Sequence, residues 1–236
     1  MRWYKSTPIS EIKEKAEASK KKLSKKGEIN PIVIEGRTIA KNWWGKAWCE
    51  YLKKYADYDN RISRGRSYVS NGFIIDYKQV DNQILALVQG SRIKPYEILI
   101  TFATVSDKTI KNLKDNYLNQ LENIDDLLSG NFPEKLGNEF LESELFPKPN
   151  KEIAFSCTCP DHACLCKHIS CALYGLGALL DKNPEVLFSL RGIKLEELIS
   201  NKLSKSVDDI ILSTNETADN MLSEEEANEL FDLMIE

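Results

Sequence analysis

Long apolar runs are missing from this sequence. No stretch approaches the roughly 20 residues that a membrane-spanning helix needs, and the opening MRWYKSTPISEIKEK lacks the apolar centre of a signal peptide. The expectation is a cytoplasmic protein, kept in a compartment that holds thiols reduced. The phosphate-binding pattern G-x-x-x-x-G-K-[ST] is absent: Gly45-Lys46 is followed by alanine and has no glycine five residues earlier. There is no dinucleotide-binding glycine fingerprint, no H-E-x-x-H pair, and no H-x-E with P-C-x-x-C of the zinc deaminases. Cys164 and Cys166 stand as C-x-C, not as the C-x-x-C of dithiol oxidoreductases. These absences together argue against an enzyme and against a small-molecule substrate. Internal repeats and low-complexity tracts are also missing.

Histidine is scarce, with two in 236 residues. Both fall in one short stretch, Ser156 to Leu180 (SCTCPDHACLCKHISCALYGLGALL), together with five of the six cysteines. Thiolates and neutral imidazole are the preferred donors of a tetrahedral zinc site, and clustering them in sequence keeps the entropy of closing the site low. Cys157, Cys159, Cys166 and His168, spaced C-x-C-x6-C-x-H, make a four-donor set that leaves no position for water. That is a structural site holding one Zn2+. Other donor sets stay open. Cys157-x-Cys159 with Cys164-x-Cys166 would make a four-cysteine site, and His162 could serve as a ligand. A disulfide cluster conflicts with a reducing compartment. Cys171, one turn past His168, is expected to pack beside Gly175 and Ala178 as a buried thiol.

The spacing also predicts a shape. Ile153-Ala154-Phe155 reads as a strand, Pro160-Asp161 as a turn, and Ile169, Ala172, Leu173, Leu176 and Leu180 fall on one helical face. Cys166 and His168 are two apart, so Cys166 should precede the helix and His168 lie in its first turn.

These residues resemble the SWIM zinc finger, and more narrowly the prokaryotic stand-alone SWIM zinc finger proteins. Lys167-His168 followed by Leu173-Tyr174-Gly175-x-Gly177 carries the likeness. It extends to Trp44-Gly45-Lys46-Ala47-Trp48-Cys49, Arg64-Gly65-Arg66-Ser67-Tyr68-Val69 and Leu187-Phe188-Ser189-Leu190-Arg191-Gly192, and so to roughly residues 1–195. His162 stands where that family commonly has tryptophan, and Cys164 is an extra thiol. The resemblance implies zinc binding and a part in DNA-binding or protein–protein interaction complexes, often beside a helicase-type ATPase. It implies no catalysis.

Charge is unevenly spread although the net value is only −4. Residues 1–54 carry 14 Lys/Arg against 6 Asp/Glu, whereas residues 206–236 carry 10 Asp/Glu and no Lys/Arg. A basic front suits a polyanion, and an acidic tail suits a partner or keeps the chain in solution. The organisation expected is a basic helical arm (1–30), an α+β domain with an antiparallel sheet (31–148), a SWIM-type finger with following helices (149–204) and the acidic tail (205–236).

Along the chain, Thr7-Pro8 should start a helix over 8–26 that ends in a lysine run. Pro31 to Gly36 reads as a short strand. Thr38 to Tyr58 reads as a helix whose aromatics Trp44, Trp48, Tyr51, Tyr55 and Tyr58 recur at helical spacing, which favours a core face with polar tips over base-stacking. Asp59 to Arg66 reads as a polar loop in which Gly65 lets backbone approach a ligand, while Arg61, Arg64 and Arg66 offer bidentate phosphate contacts. The competing reading pairs those arginines with Asp57 and Asp59. Asn71-Gly72 predicts a hairpin between Tyr68-Val69 and Phe73-Ile75. Strands at 84–88 and 96–102 would complete an antiparallel meander, with a long helix from Ser106 to Leu128 covering one face and a short helix from Pro133 to Leu145 after it. Pro147 to Asn150 reads as a stiff linker into the finger, and short helices are expected from Pro184 to Leu190 and from Leu195 to Leu203. The fold class is α+β. The function expected is non-enzymatic nucleic-acid binding, DNA favoured over RNA, through Arg61, Arg64, Arg66 and Lys167, as accessory to a helicase or remodelling ATPase. The alternative is a protein-interaction adaptor with no affinity for nucleic acid.

Overall fold

A helix of unusual composition, α7 (Lys167–Leu180), organises the molecule. Its sequence KHISCALYGLGALL carries almost no charge, and every residue but Lys167 and Leu179 is buried. A helix apolar on all sides needs partners on all sides, and this one has them. In the computed structural model, which describes residues 7–54, 59–116, 124–148, 151–161, 163 and 165–195, a four-stranded sheet covers one flank of α7 and two helices cover another. The fold is mixed α+β, as the sequence implies.

The sheet runs β1 (Ile74–Val80), β2 (Gln83–Val88), β3 (Tyr96–Phe102), β4 (Ile153–Cys157), antiparallel throughout and in chain order. Ile84, Ala86 and Val88 of β2 alternate with the more exposed Gln83, Leu85 and Leu87, so one face is packed and the other open. The β1–β2 turn is Asp81-Asn82, with Asp81 at φ 51°, a conformation this short polar residue tolerates. The fourth strand therefore comes from the segment leading into the cysteine cluster, not from the region around Asn71-Gly72.

Asn71-Gly72 instead ends a helix. α3 (Asp59–Ser70) runs through the stretch expected to be a polar loop. Phe73 N–H donates to Tyr68 O across Gly72, which sits at φ 71°, a helix stop of the Schellman type. The left-handed φ that favours Asn-Gly in hairpins serves equally well here. Ile62, Gly65, Tyr68 and Val69 form the buried face of α3 against α7. Gly65 permits that approach: a Cβ there would lie 2.3 Å from Ser170 Cβ and 2.6 Å from its carbonyl carbon. The glycine fits one backbone against another, not against a ligand.

α2 (Trp43–Tyr51), followed by a 3-10 turn (Leu52–Lys54), packs on α7 beside it. Trp44 and Trp48 are fully buried with their polar tips satisfied: Trp44 Nε1 donates to Leu127 O at 2.7 Å and Trp48 Nε1 to Leu173 O at 2.8 Å. The aromatic stripe is core, as its pattern suggests; Tyr55 and Tyr58 lie outside the described residues. Asn42 caps α2, and Asp181 at the end of α7 accepts from the N–H groups of Lys41 and Asn42, tying the two helices together.

Other expectations are corrected. Pro31 to Gly36 forms no strand; it runs as irregular chain beside β1, where Asn30 N–H donates to Asp76 Oδ1, and Val33 is exposed. The Ser106 cap is present, with Thr109 N–H donating to Ser106 Oγ. It opens α4 (Asp107–Asn116), and α5 (Ile124–Ser129) follows, residues 117–123 lying outside the described residues. The helix across the sheet is α7 and not this one. α6 (Glu134–Glu142) and α8 (Glu185–Leu190) stand where helices are expected. α1 (Ile9–Ser24) buries Ile12, Ala16 and Ser19 and meets β1. The helix expected at Leu195–Leu203 and the acidic tail fall outside the described residues. No helix among those described is long and apolar enough to cross a membrane.

Candidate metal centre

The cluster is assembled from three elements. Cys157 ends β4 opposite Ile98 of β3, and alternation along the strand turns it to the same side as Ile153 and Phe155. One step on, Thr158 is clamped: its N–H donates to Glu97 O at 3.1 Å, and its hydroxyl accepts from Glu97 N–H at 3.0 Å. That clamp fixes the chain that delivers Cys159. Cys166 is the N-cap of α7, its sulfur accepting from Ile169 N–H at 3.5 Å, and His168 lies in the first turn.

Cys157, Cys159, Cys166 and His168 each offer one donor atom, and the four atoms lie within 4.8 Å of one another. Among the described residues this is the one group of metal-type donors so arranged. It could hold a metal ion. Cys166 and His168 are buried and the other two are half-buried. The imidazole is held by ring contacts, with Tyr96 at 4.3 Å and Tyr68 at 5.7 Å between centroids. Nδ1 faces Cys166 Sγ at 3.8 Å. Nε2 is buried on the other side without a hydrogen bond, close to Gly90, where a Cβ would stand 2.7 Å from it. A side chain at position 90 would push the ring off its place.

The hydrogen bonds within the cluster favour the thiolate at Cys166 over its neighbours. Its thiol falls from 9.0 to about 4, first because Cys157 hydrogen-bonds to it, then through His168 and the Ile169 N–H, against the opposing effect of burial. Cys157 moves up as the other half of that hydrogen bond, with burial adding to the shift, and burial raises Cys159. A cluster that favours a thiolate suits the binding of a cation. Cys171 behaves differently: it is fully buried in α7 and burial pushes its thiol well up, so it is an inert packing group. Cys49 is pushed up to about 12, chiefly by burial. His162 and Cys164, the competing donors, lie outside the described residues.

The four residues expected to contact nucleic acid are not gathered on one patch. Arg61 is half-buried and paired with Asp161 of the finger turn at 2.8 Å; this acid was not anticipated. Arg64, three residues on, is exposed and has no acidic partner among the described residues. Lys167 lies over the Tyr68 ring at 4.9 Å. Arg61 and Tyr68 border the cluster through Asp161 and His168, and Arg64 shares their edge of α3 at helical spacing. Arg66 points elsewhere, to a small cavity of about 210 Å3 that it lines with Lys46 and Cys49.

A buried arginine escaped the sequence reading. Arg191, just after α8, is 2% exposed; it donates to the carbonyls of Ala103 and Glu144 and pairs with Glu152 at 2.8 Å. It fastens the ends of β3 and β4 to the chain after α6. Its place in the Leu187–Gly192 motif was the available signal.

Comparison with known proteins adds one relative. The chain is similar to the uncharacterized protein Rv2102 of Mycobacterium tuberculosis, at 32% identity over 172 residues, which cover 72% of this chain. The match spans 62% of that relative's length. No family model matches the chain, and no solved structure matches it.

Proposed function

We propose that the protein is a non-enzymatic finger protein of the SWIM type, held together by one zinc ion, that binds nucleic acid, DNA in preference to RNA, in the cytoplasm. The reading rests on the Cys157–Cys159–Cys166–His168 cluster. Three thiolates and an imidazole form a donor set suited to zinc. Zinc bonds of about 2.3 Å to sulfur and 2.0–2.1 Å to nitrogen put neighbouring tetrahedral donors roughly 3.5–3.8 Å apart. Cys166 and His168 stand at 3.8 Å, and the widest pair need close by only about 1 Å. Four protein donors leave no open coordination position, so the ion's role is to hold strand, turn and helix. Arg61 and Lys167 beside the cluster, with Arg64 on the same edge of α3, supply the phosphate-facing cations; a helicase- or remodelling-type ATPase is the partner the resemblance suggests.

The test is binding of zinc-loaded protein to labelled single- and double-stranded DNA and RNA across salt concentrations. Affinity should fall linearly in log salt, with a slope that counts phosphate contacts. Arg64→Glu and Lys167→Glu should each flatten it, and Arg66→Glu should not. Absence of binding at low salt refutes the nucleic-acid reading. A second reading, a protein-interaction adaptor, is favoured by the ion pair that occupies Arg61 and by an overall isoelectric point near 5.5.

A further inference from the structure

A cavity of about 490 Å3, lined by none of the four cluster residues, opens between α1 and the β2–β3 connection. One wall is α1, with Lys15, Ala18, Ser19, Lys22, Leu23 and Lys26; the other is formed by Leu87, Ile93, Lys94, Pro95 and Glu97. The floor is apolar and the rim is cationic. Lys22 and Lys26 are exposed and pair with no acid among the described residues, while Lys15 and Lys94 already hold Glu11 and Glu97. Ile93 is 87% exposed, the most exposed large apolar side chain described.

That exposure is imposed by a braced loop. Gln89, itself fully buried, accepts from Ser19 Oγ at 2.8 Å and donates to the carbonyls of Gly90 and Arg92 at 3.2 and 2.6 Å. Lys15 Nζ donates to Ser91 O at 2.7 Å, joining loop and helix from the other end. Ile93 is thus presented by a connection fixed from inside, which spares a partner the cost of ordering it. Next to the groove, Leu85 lies on the open face of the sheet with Leu87 and is 44% exposed, so the apolar strip continues past the cavity mouth.

We propose that this groove is the docking site of an acidic amphipathic helix of a partner protein. Charge complementarity carries the choice. Lys15, Lys22 and Lys26 recur at i, i+7 and i+11 along one wall, a span of about 16 Å. A helix laid alongside matches that row, burying its apolar stripe on Leu23, Leu87, Ile93 and Pro95 while its carboxylates meet the lysines. The lining holds no aromatic ring on which bases would stack and no arginine for bidentate phosphate contact, which disfavours nucleic acid here. The groove is lined by none of Arg61, Arg64 and Lys167, and the proposal does not depend on the nucleic-acid reading.

The experiment titrates the zinc-loaded full chain into a fluorescent peptide with leucines at i, i+3, i+4 and i+7 and glutamates between, read by anisotropy. A scrambled peptide of the same composition is the control. The helical peptide should bind, weaken with salt, and lose about tenfold or more in affinity with Ile93→Asp and with the double variant Lys22→Glu, Lys26→Glu. Arg64→Glu should leave it unchanged. Both groove variants alter exposed side chains, and an unchanged melting temperature shows that they fold. Equal affinity for the scrambled peptide, no binding of either, or insensitivity to Ile93→Asp overturns the proposal. Loss of duplex DNA binding in Ile93→Asp, with the peptide unaffected, would give the groove to nucleic acid instead.

Discussion

Substituting Gly65 by alanine separates a packing glycine from a ligand-approach glycine. The added Cβ would meet Ser170 Cβ at 2.3 Å, its carbonyl carbon at 2.6 Å and Cys171 N at 2.8 Å. Carbon atoms rest at about 3.5–4.0 Å, so α3 and α7 must part by roughly 1 Å. Overpacking of this kind costs about 1–3 kcal/mol, and the upper end applies because two of the three neighbours are backbone atoms that cannot swing away. The opposing term is smaller: Gly65 is helical and not left-handed, and alanine is the better helix former by about 0.8–1 kcal/mol. The net expectation is a loss of about 2 kcal/mol, or a melting temperature lower by about 4–8 °C for a chain this long. Urea and thermal unfolding of zinc-loaded protein, followed by circular dichroism, reads it. Because Ser170 lies half a turn beyond His168, zinc retention against a chelator should also weaken. An alanine variant as stable as the parent, or stabler, with impaired nucleic-acid binding, would refute the packing argument and restore a ligand-facing Gly65.

Four further outcomes are expected. Zinc should be present at one per chain, and chelation should lower the melting temperature, because binding and local folding are coupled; metal analysis and calorimetry check this. His168→Ala or Cys166→Ser should lose the metal, while Cys171→Ala and Cys164→Ser keep it; loss in Cys164→Ser with retention in His168→Ala would mean a four-cysteine site. Tyr77 is fully buried, donates to Ala172 O at 2.9 Å, and burial raises its pKa well above 10.0. Its stabilising contribution is complete below pH 10 and is lost as pH rises above that, since the unfolded chain releases the proton first; Tyr77→Phe should flatten the alkaline decline in urea-unfolding stability. Arg191→Met should cost about 3–5 kcal/mol by stranding Glu152 and two carbonyls, and the double variant with Glu152→Gln should recover part of that in unfolding measurements.

The donor cluster was legible because its chemistry is local: donors within twelve residues, a strand before them, a helix after. The aromatic face of α2 was legible for a similar reason, helical spacing with no competing signal. Arg61–Arg66 misled because Gly65 and the surrounding charge look like loop, and the reason for the glycine, Ser170, lies more than a hundred residues away. Asn71-Gly72 misled because one backbone conformation serves both hairpin turns and helix stops. The fourth strand could not be paired from sequence, since fifty residues separate β3 from β4, with α4, α5 and α6 among the described ones. Periodicity found the apolar face of α7 but not its burial on every side, which depends on what surrounds it.

That central helix also sets the order in which the molecule can be completed. A ribosome makes α2, α3 and β1–β3 first, and the apolar faces of Trp48, Ile84 and Ile100 then await a helix that begins 65 residues after β3 ends. At about 5–20 residues per second, completing α7 takes roughly 4–16 s more. During that interval the packed face of the sheet has no helix across it. Because Cys166 and His168 arrive with α7, a metal ion could meet all four donors only at that last step.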